Sequence, residues 1–186
     1  MNIKSPWFIK MPQFIPEVVC ERILDEASDL SFFAAKVGLQ TEGSKLDQEI
    51  RNNSALFLDK NHWFEGVLTH FGNRANQSAH WNFDISANDA VQISSYNPGE
   101  KYDWHVDENI LSKLQQFQRK ITVVCQLNKS SEYKGGEFYI DGVKDSLLSE
   151  QGDIIAFPSY MRHKADEVTD GKRMSAVVWI YGKHFR

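Results

Sequence analysis

A chain of 186 residues provides enough material for one compact domain. Its formal net charge of −4 at pH 7 argues against a surface built to hold nucleic acid or anionic membrane. Polar residues interrupt every apolar run well short of a membrane span.

The N-terminal third reads as helical. Pro16 stands where a helix can begin, because its missing N–H is not needed in a first turn. Val19, Ile23 and Ala27 follow at helical spacing. Trp63, Phe64, Val67, Leu68 and Phe71 form a second apolar stripe, in a helix expected over about 61–79, and core packing against a sheet accounts for it. The remainder reads as short, β-branched and aromatic-rich strands over 89–96, 101–107, 120–128, 137–141, 153–157 and 173–181, with an earlier one over 51–58. Asn97-Pro98-Gly99, Lys134-Gly135-Gly136, Asp141-Gly142 and Asp170-Gly171 supply turns between them. The polar segment 108–118 reads equally well as a short helix over a site and as a solvated loop. No linker divides the chain. The expected fold is one mainly β (α+β) domain over 1–186, a jelly roll whose N-terminal helices, within about 1–80, pack on one sheet.

Cys20 and Cys125 lie far apart in sequence and are expected as buried free thiols, not a disulfide framework. The N-terminus shows no apolar run ending in small residues, so no signal peptide is expected, and the expected compartment is the cytoplasm.

The chemistry centres on Tyr102-Asp103-Trp104-His105-Val106-Asp107. Strand alternation turns His105 and Asp107 to the same side, which brings an imidazole and a carboxylate together. The best candidate for a third ligand is His163, at the end of a strand after Ala156-Phe157-Pro158-Ser159. Two histidines and one carboxylate leave metal positions open, an arrangement suited to non-haem iron(II). A structural zinc site would be closed by a fourth ligand, and no cysteine is spaced to supply one. His62, His70, His80 and His184 carry no such pattern and read as surface or core residues. Arg173 follows His163 by ten residues, and its planar guanidinium is a bidentate partner for the free end of a chelating dicarboxylate. Alternation turns Arg173 and Trp179 to the same face.

These residues resemble the 2-oxoglutarate- and iron(II)-dependent dioxygenases of the prolyl-4-hydroxylase-like branch. The likeness rests on Tyr96-Asn97-Pro98-Gly99, Tyr102 with His105 and Asp107, Gly135-Gly136-Glu137, Gly152-Asp153 through Phe157-Pro158, His163, Gly171 with Arg173, and Trp179, over about 89–181. The resemblance implies a double-stranded β-helix with iron(II) on His105, Asp107 and His163. It also implies 2-oxoglutarate and dioxygen as cosubstrates, with ascorbate as a candidate reductant. Arg173 would hold the distal carboxylate and Tyr96 would hydrogen-bond the cosubstrate. Tyr102 and Trp179 would line the substrate pocket, and Arg119 would contact substrate backbone. Where some relatives carry a tyrosine touching 2-oxoglutarate, this chain has Gln126, whose amide would offer the cosubstrate carboxylate a hydrogen bond in its place. No acid–base residue is required beyond the metal ligands. The implied reaction is hydroxylation of an unactivated C–H bond, first of a prolyl residue in a peptide or protein. A free amino acid, another small metabolite or a nucleobase stands as the alternative substrate, and the overall acidity lends no support to the nucleobase. A non-catalytic metal-binding jelly-roll module is the rival from another class.

Overall fold

The computed structural model describes residues 4–5, 7–35, 49–108 and 117–184. Most of the segment 108–118, with its choice between helix and loop, lies outside the described residues. In chain order the elements are β1 (Lys4–Ser5), β2 (Phe8–Met11), α1 (Glu17–Ser28), β3 (Phe33–Ala34), β4 (Ser54–Phe57) and α2 (Trp63–Ser78). Then come β5 (Ile85–Asn88), β6 (Gln92–Tyr96), β7 (Tyr102–His105), β8 (Phe117–Gln126), β9 (Tyr133–Gly135) and β10 (Phe138–Ile140). The chain continues with β11 (Ile154–Pro158), β12 (His163–Ala165), β13 (Val168–Gly171) and β14 (Arg173–Lys183).

The strands form a large antiparallel sheet in the order β1-β2-β11-β8-β14-β6-β4-β3, with β5 also on β14. A smaller sheet, β10-β12-β7, faces it, and β13 pairs with β9. This is the expected mainly β jelly roll. The N-terminal part is less purely helical than its sequence reads, because β1 to β4 extend both edges of the large sheet. Pro16 caps α1, which buries the expected Ile23 and Ala27 together with Cys20, while Val19, expected in the same stripe, is only half-buried. Helix α2 buries Phe64, Leu68 and Phe71, while Trp63, expected in the same stripe, is 43% exposed because it opens the first turn. Gly72 lets α2 sit close on the sheet: a Cβ there would lie 2.4 Å from Ile180 Cδ1.

One apolar core lies between the helices and the large sheet, around Ile23, Phe64, Leu68, Ile93, Ile121 and Val178. A second lies between the two sheets, around Val124, Phe138, Ile140, Leu148 and Phe157. Cys20 and Cys125 are buried and free, as expected, and both sulfurs approach the Gln126 carbonyl oxygen, at 4.0 and 3.6 Å. No described helix is long and apolar enough to cross a membrane.

Two β-bulges bear on the site. His163 pairs with His105 and Ala165 with Tyr102, so β7 carries one residue more than β12 over this stretch. The extra residue turns Tyr102 to the same side as His105, where strict alternation would set them on opposite faces. Likewise Ile180 pairs with Ile121 but Tyr181 with Arg119, so β8 carries the extra residue and Arg119 comes to lie beside Tyr181 and Trp179.

Candidate metal centre and cosubstrate cavity

A cavity between the two sheets is floored by alternate residues of three neighbouring strands. These are Gln92, Ser94 and Tyr96 of β6, Thr122 and Val124 of β8, and Arg173, Ser175, Val177 and Trp179 of β14. Across from them stand Tyr102 and His105 of β7, Phe138 of β10, and His163 and Ala165 of β12, with Asp107 just past the end of β7. His163 does not end a strand, as its sequence context suggests. It opens the short strand β12 and pairs directly with His105.

His105, Asp107 and His163 present ligand atoms within 4.8 Å of one another, and they are the one such group among the described residues. Nε2 of His105 lies 3.6 Å from Asp107 Oδ1, and Nε2 of His163 lies 3.4 Å from Asp107 Oδ2. The other ring nitrogen of each histidine meets a backbone carbonyl: His105 Nδ1 is 2.7 Å from the Asp103 oxygen and His163 Nδ1 is 2.9 Å from that of Met161. A carbonyl only accepts, so Nδ1 carries the proton and the Nε2 lone pairs face the centre. Thr122 Oγ1 donates to Asp107 Oδ2 at 2.8 Å and lies 3.0 Å from Ser159 Oγ. The Asp107 backbone N–H donates to the Ser159 carbonyl at 2.9 Å, which closes the loop around the carboxylate.

The charge states suit a cation. Burial, then His163, hold His105 down to about 3, so its ring is neutral at ordinary pH. Burial pushes the Asp107 carboxyl up, but His163, His105, Arg119 and the Trp179 indole together bring it down to about 2. A neutral imidazole with its lone pair free and an ionised carboxylate are the forms that bind a metal.

Arg173 lies deep in the cavity, 1% exposed, and its Nε and Nη2 have no hydrogen-bond partner. It stands directly opposite Tyr96 across β14 and β6, with its guanidinium carbon 5.5 Å from the Tyr96 ring centroid. A buried guanidinium with two unpaired donors is costly unless an anion meets it. Together with the lone pairs at the triad, this set of donors fits a divalent metal and a dicarboxylate spanning from it to Arg173.

Tyr102 lies flat on His105, ring centroids 3.3 Å apart and planes 7° apart, and burial pushes its hydroxyl well above the usual range. Trp179 faces the same cavity, and its buried Nε1 meets no acceptor at full hydrogen-bond geometry. Two expected residues stand elsewhere. Gln126 donates its Nε2 to the Asn128 carbonyl and Oδ1, both at 3.1 Å, so the hydrogen bond it was expected to offer a carboxylate is already taken. Arg119, expected against substrate backbone, does not line the cavity. Its Nη2 donates to Asp89 and its Nε to the Tyr181 hydroxyl, while its guanidinium stacks 3.8 Å over Trp179. Three residues at the site carried no signal in the sequence reading. Thr122 and Ser159 brace Asp107, and the buried Arg51 sits 4.5 Å over the outer face of Tyr102 and lines the cavity. Strand alternation with Val124 would have found Thr122; nothing local marks Arg51.

Residues 91–181 match the model of the 2OG-Fe(II) oxygenase superfamily. Among curated proteins, a PKHD-type hydroxylase of Idiomarina loihiensis is 30% identical over 92 residues, 48% of this chain and 41% of that protein. The chain thus spans well under half the length of that relative. Among solved structures, the 2OG complex of a viral collagen prolyl hydroxylase from Paramecium Bursaria Chlorella virus-1 superposes with a TM-score of 0.71 at 19% identity, covering 95% of this chain and 96% of that one. A Trichoplax adhaerens prolyl hydroxylase in complex with a hypoxia inducible factor peptide fragment gives 0.70 at 16% identity, covering 96% and 84%.

Proposed function

We propose, from the match of residues 91–181 to the 2OG-Fe(II) oxygenase superfamily and from the site's geometry, that this chain is an oxygenase of the prolyl-4-hydroxylase-like branch and hydroxylates an unactivated C–H bond, first of all in a peptidyl proline. The chain acts as one domain in this reading, because β2 and β4 are strands of the same sheet as β8 and β14. His105, Asp107 and His163 would hold iron(II), and Arg173, with Tyr96 beside it, the distal carboxylate of 2-oxoglutarate. When bound, iron and 2-oxoglutarate supply the oxidation of the C–H bond by dioxygen. The protein's own part is binding, orientation and exclusion of water. Arg173 neutralises the far carboxylate, the Nδ1 contacts hold both imidazoles in register, and the Tyr102 and Trp179 rings form walls beside the metal position. The observation that carries the proposal is the pairing of an open His-Asp-His triad with a buried, underbonded arginine in one cavity.

The peptide substrate is supported by likeness to proteins such as the Trichoplax hydroxylase with its bound peptide fragment. The commitment of Arg119 to Asp89 and Tyr181 favours a second reading, a free amino acid or other small metabolite. Incubation with iron(II), 2-oxoglutarate and proline-rich peptides, read by mass spectrometry, is expected to add one oxygen atom to peptide. Succinate release with a small metabolite and no gain on any peptide would reject the prolyl substrate in favour of the second reading.

A further inference from the structure

We propose that Asn128 is a positioning residue for the cosubstrate arginine, acting on Arg173 through the backbone on either side of it, with Gln126 holding Asn128 in turn. The proposal rests on the reading of Arg173 as the partner of the distal carboxylate of 2-oxoglutarate. Arg173 opens β14, and Tyr96 of β6 pairs with it on one side. On the other side β8 ends at Gln126, which pairs with Ser175, so the same register would set Asn128 opposite Arg173. The backbone ladder breaks just before that point. Leu127 donates its N–H to the Met174 carbonyl at 3.0 Å, but its own carbonyl accepts from Gln151 Nε2 at 2.9 Å. In a regular antiparallel pair the Met174 N–H would return to the Leu127 carbonyl. Here it donates to Asn128 Oδ1 at 2.7 Å. Asn128 Nδ2 donates to the Lys172 carbonyl at 2.8 Å. One side-chain amide thus bonds the residue before Arg173 and the residue after it, in the place of a strand.

A backbone N–H only donates and a carbonyl only accepts, so the two ends of this amide cannot exchange. Asn128 is 2% exposed, and its other contacts hold it still. Nδ2 also donates to Glu132 Oε2 at 3.1 Å, and Gln126 Nε2 donates to both Asn128 oxygens. Gln126 does not line the cavity, and it bears on the cosubstrate position at one remove, through Asn128. The Arg173 side chain gets no hydrogen bond at Nε or Nη2 to fix it, so the placement of its guanidinium depends on its backbone. A group that must meet a carboxylate in a set geometry needs such a support behind it.

Calorimetry on the full chain with manganese(II) and 2-oxoglutarate, without oxygen, reads binding apart from turnover. Wild-type protein is expected to bind manganese(II) and then 2-oxoglutarate, and Arg173→Gln to keep the metal and lose the 2-oxoglutarate. If these two proteins bind 2-oxoglutarate alike, or wild type binds none, the reading of Arg173 fails, and the role of Asn128 with it. Asn128→Ala is expected to weaken 2-oxoglutarate binding about 10-fold while its manganese(II) affinity stays that of wild type. Gln126→Met, which keeps the reach of the side chain and removes the amide, is expected to weaken it in the same direction by a smaller factor. Urea unfolding of the same variants reads stability separately. A folded but destabilised Asn128→Ala that binds 2-oxoglutarate as wild type does would make Asn128 a support of the fold alone and overturn the proposal. Should Asn128→Ala not fold, wild-type 2-oxoglutarate affinity in Gln126→Met overturns it instead.

Discussion

Asp107 is braced by side chains, whereas the two histidines are braced by backbone, and the difference can be measured. Thr122→Val keeps the shape of the side chain and removes the donor to Asp107 Oδ2. Loss of one outer contact is expected to cut metal affinity by about tenfold or more. The lost hydrogen bond is expected to cost about 1 to 2 kcal/mol of stability. Metal titration and urea unfolding separate the two effects, and undiminished metal affinity would show that Thr122 does not orient the carboxylate. His105 adds a pH dependence. Its folded value of about 3 lies below the ordinary value near ~6.5. Between those limits the unfolded chain binds a proton that the folded chain does not. This contribution to stability is complete above about pH 6.5 and is lost as the pH falls toward about 3. Asp107 acts in the same sense at lower pH, since its lowered value makes its contribution present above the ordinary carboxylate range and lost as the pH falls through about 2. Chelator-treated protein should therefore lose stability between pH 6.5 and 5, at up to about 1.4 kcal/mol per pH unit from His105. His105→Asn should flatten that slope; an equal slope in both proteins would contradict the assignment.

At the scale of elements, the turn before β10 abuts Arg173, the residue proposed to hold the cosubstrate. Gly136 has φ +70°, and a Cβ there would lie 2.8 Å from Arg173 Cδ. Gly136→Ala thus strains the backbone and pushes on the guanidinium stem, with an expected cost of about 1 to 3 kcal/mol. The KM for 2-oxoglutarate should rise with it, and a normal KM in a destabilised variant would mean that the turn supports the fold alone. The Gly135-Gly136 pair was visible in the sequence, but its link to Arg173 was not. Alternation along β6, β8 and β14 made much of the cavity floor legible, since Arg173 and Trp179 do share a face. The bulges in β7 and β8 were not legible, because one extra residue leaves no mark in composition. Strands β3 and β12, of two and three residues, are too short to show alternation.

For the whole molecule, the segment matching the superfamily is not a self-sufficient fold. Phe64, Leu68 and Phe71 of α2, with Ile23 of α1, pack against Ile93, Ile121 and Val178 of the large sheet, and β2 and β4 pair with β11 and β6. Uncovering each large apolar side chain costs about 1.5 to 3 kcal/mol. Four of them approach or exceed the roughly 5 to 15 kcal/mol that holds a domain folded. Residues 91–181 expressed alone are expected to show no cooperative unfolding by circular dichroism; a cooperative transition would refute the dependence. The helices and the jelly-roll class were legible as separate facts. Their joint dependence was not, because β1 and β2 carry little pattern of their own yet lie at the edge of the sheet.

The backbone contacts of His105 and His163 bear on how this centre can drift under mutation. Each ring is anchored by the carbonyl two residues earlier in its own segment, a group every amino acid supplies. No exchange of side chain at Asp103 or Met161 can delete those anchors. The carboxylate's support, the Thr122 hydroxyl with Ser159 Oγ behind it, has no such protection. In a saturation library scored for metal retention, the histidine anchors should leave no signature, and the genetic fragility of the centre should concentrate around Asp107.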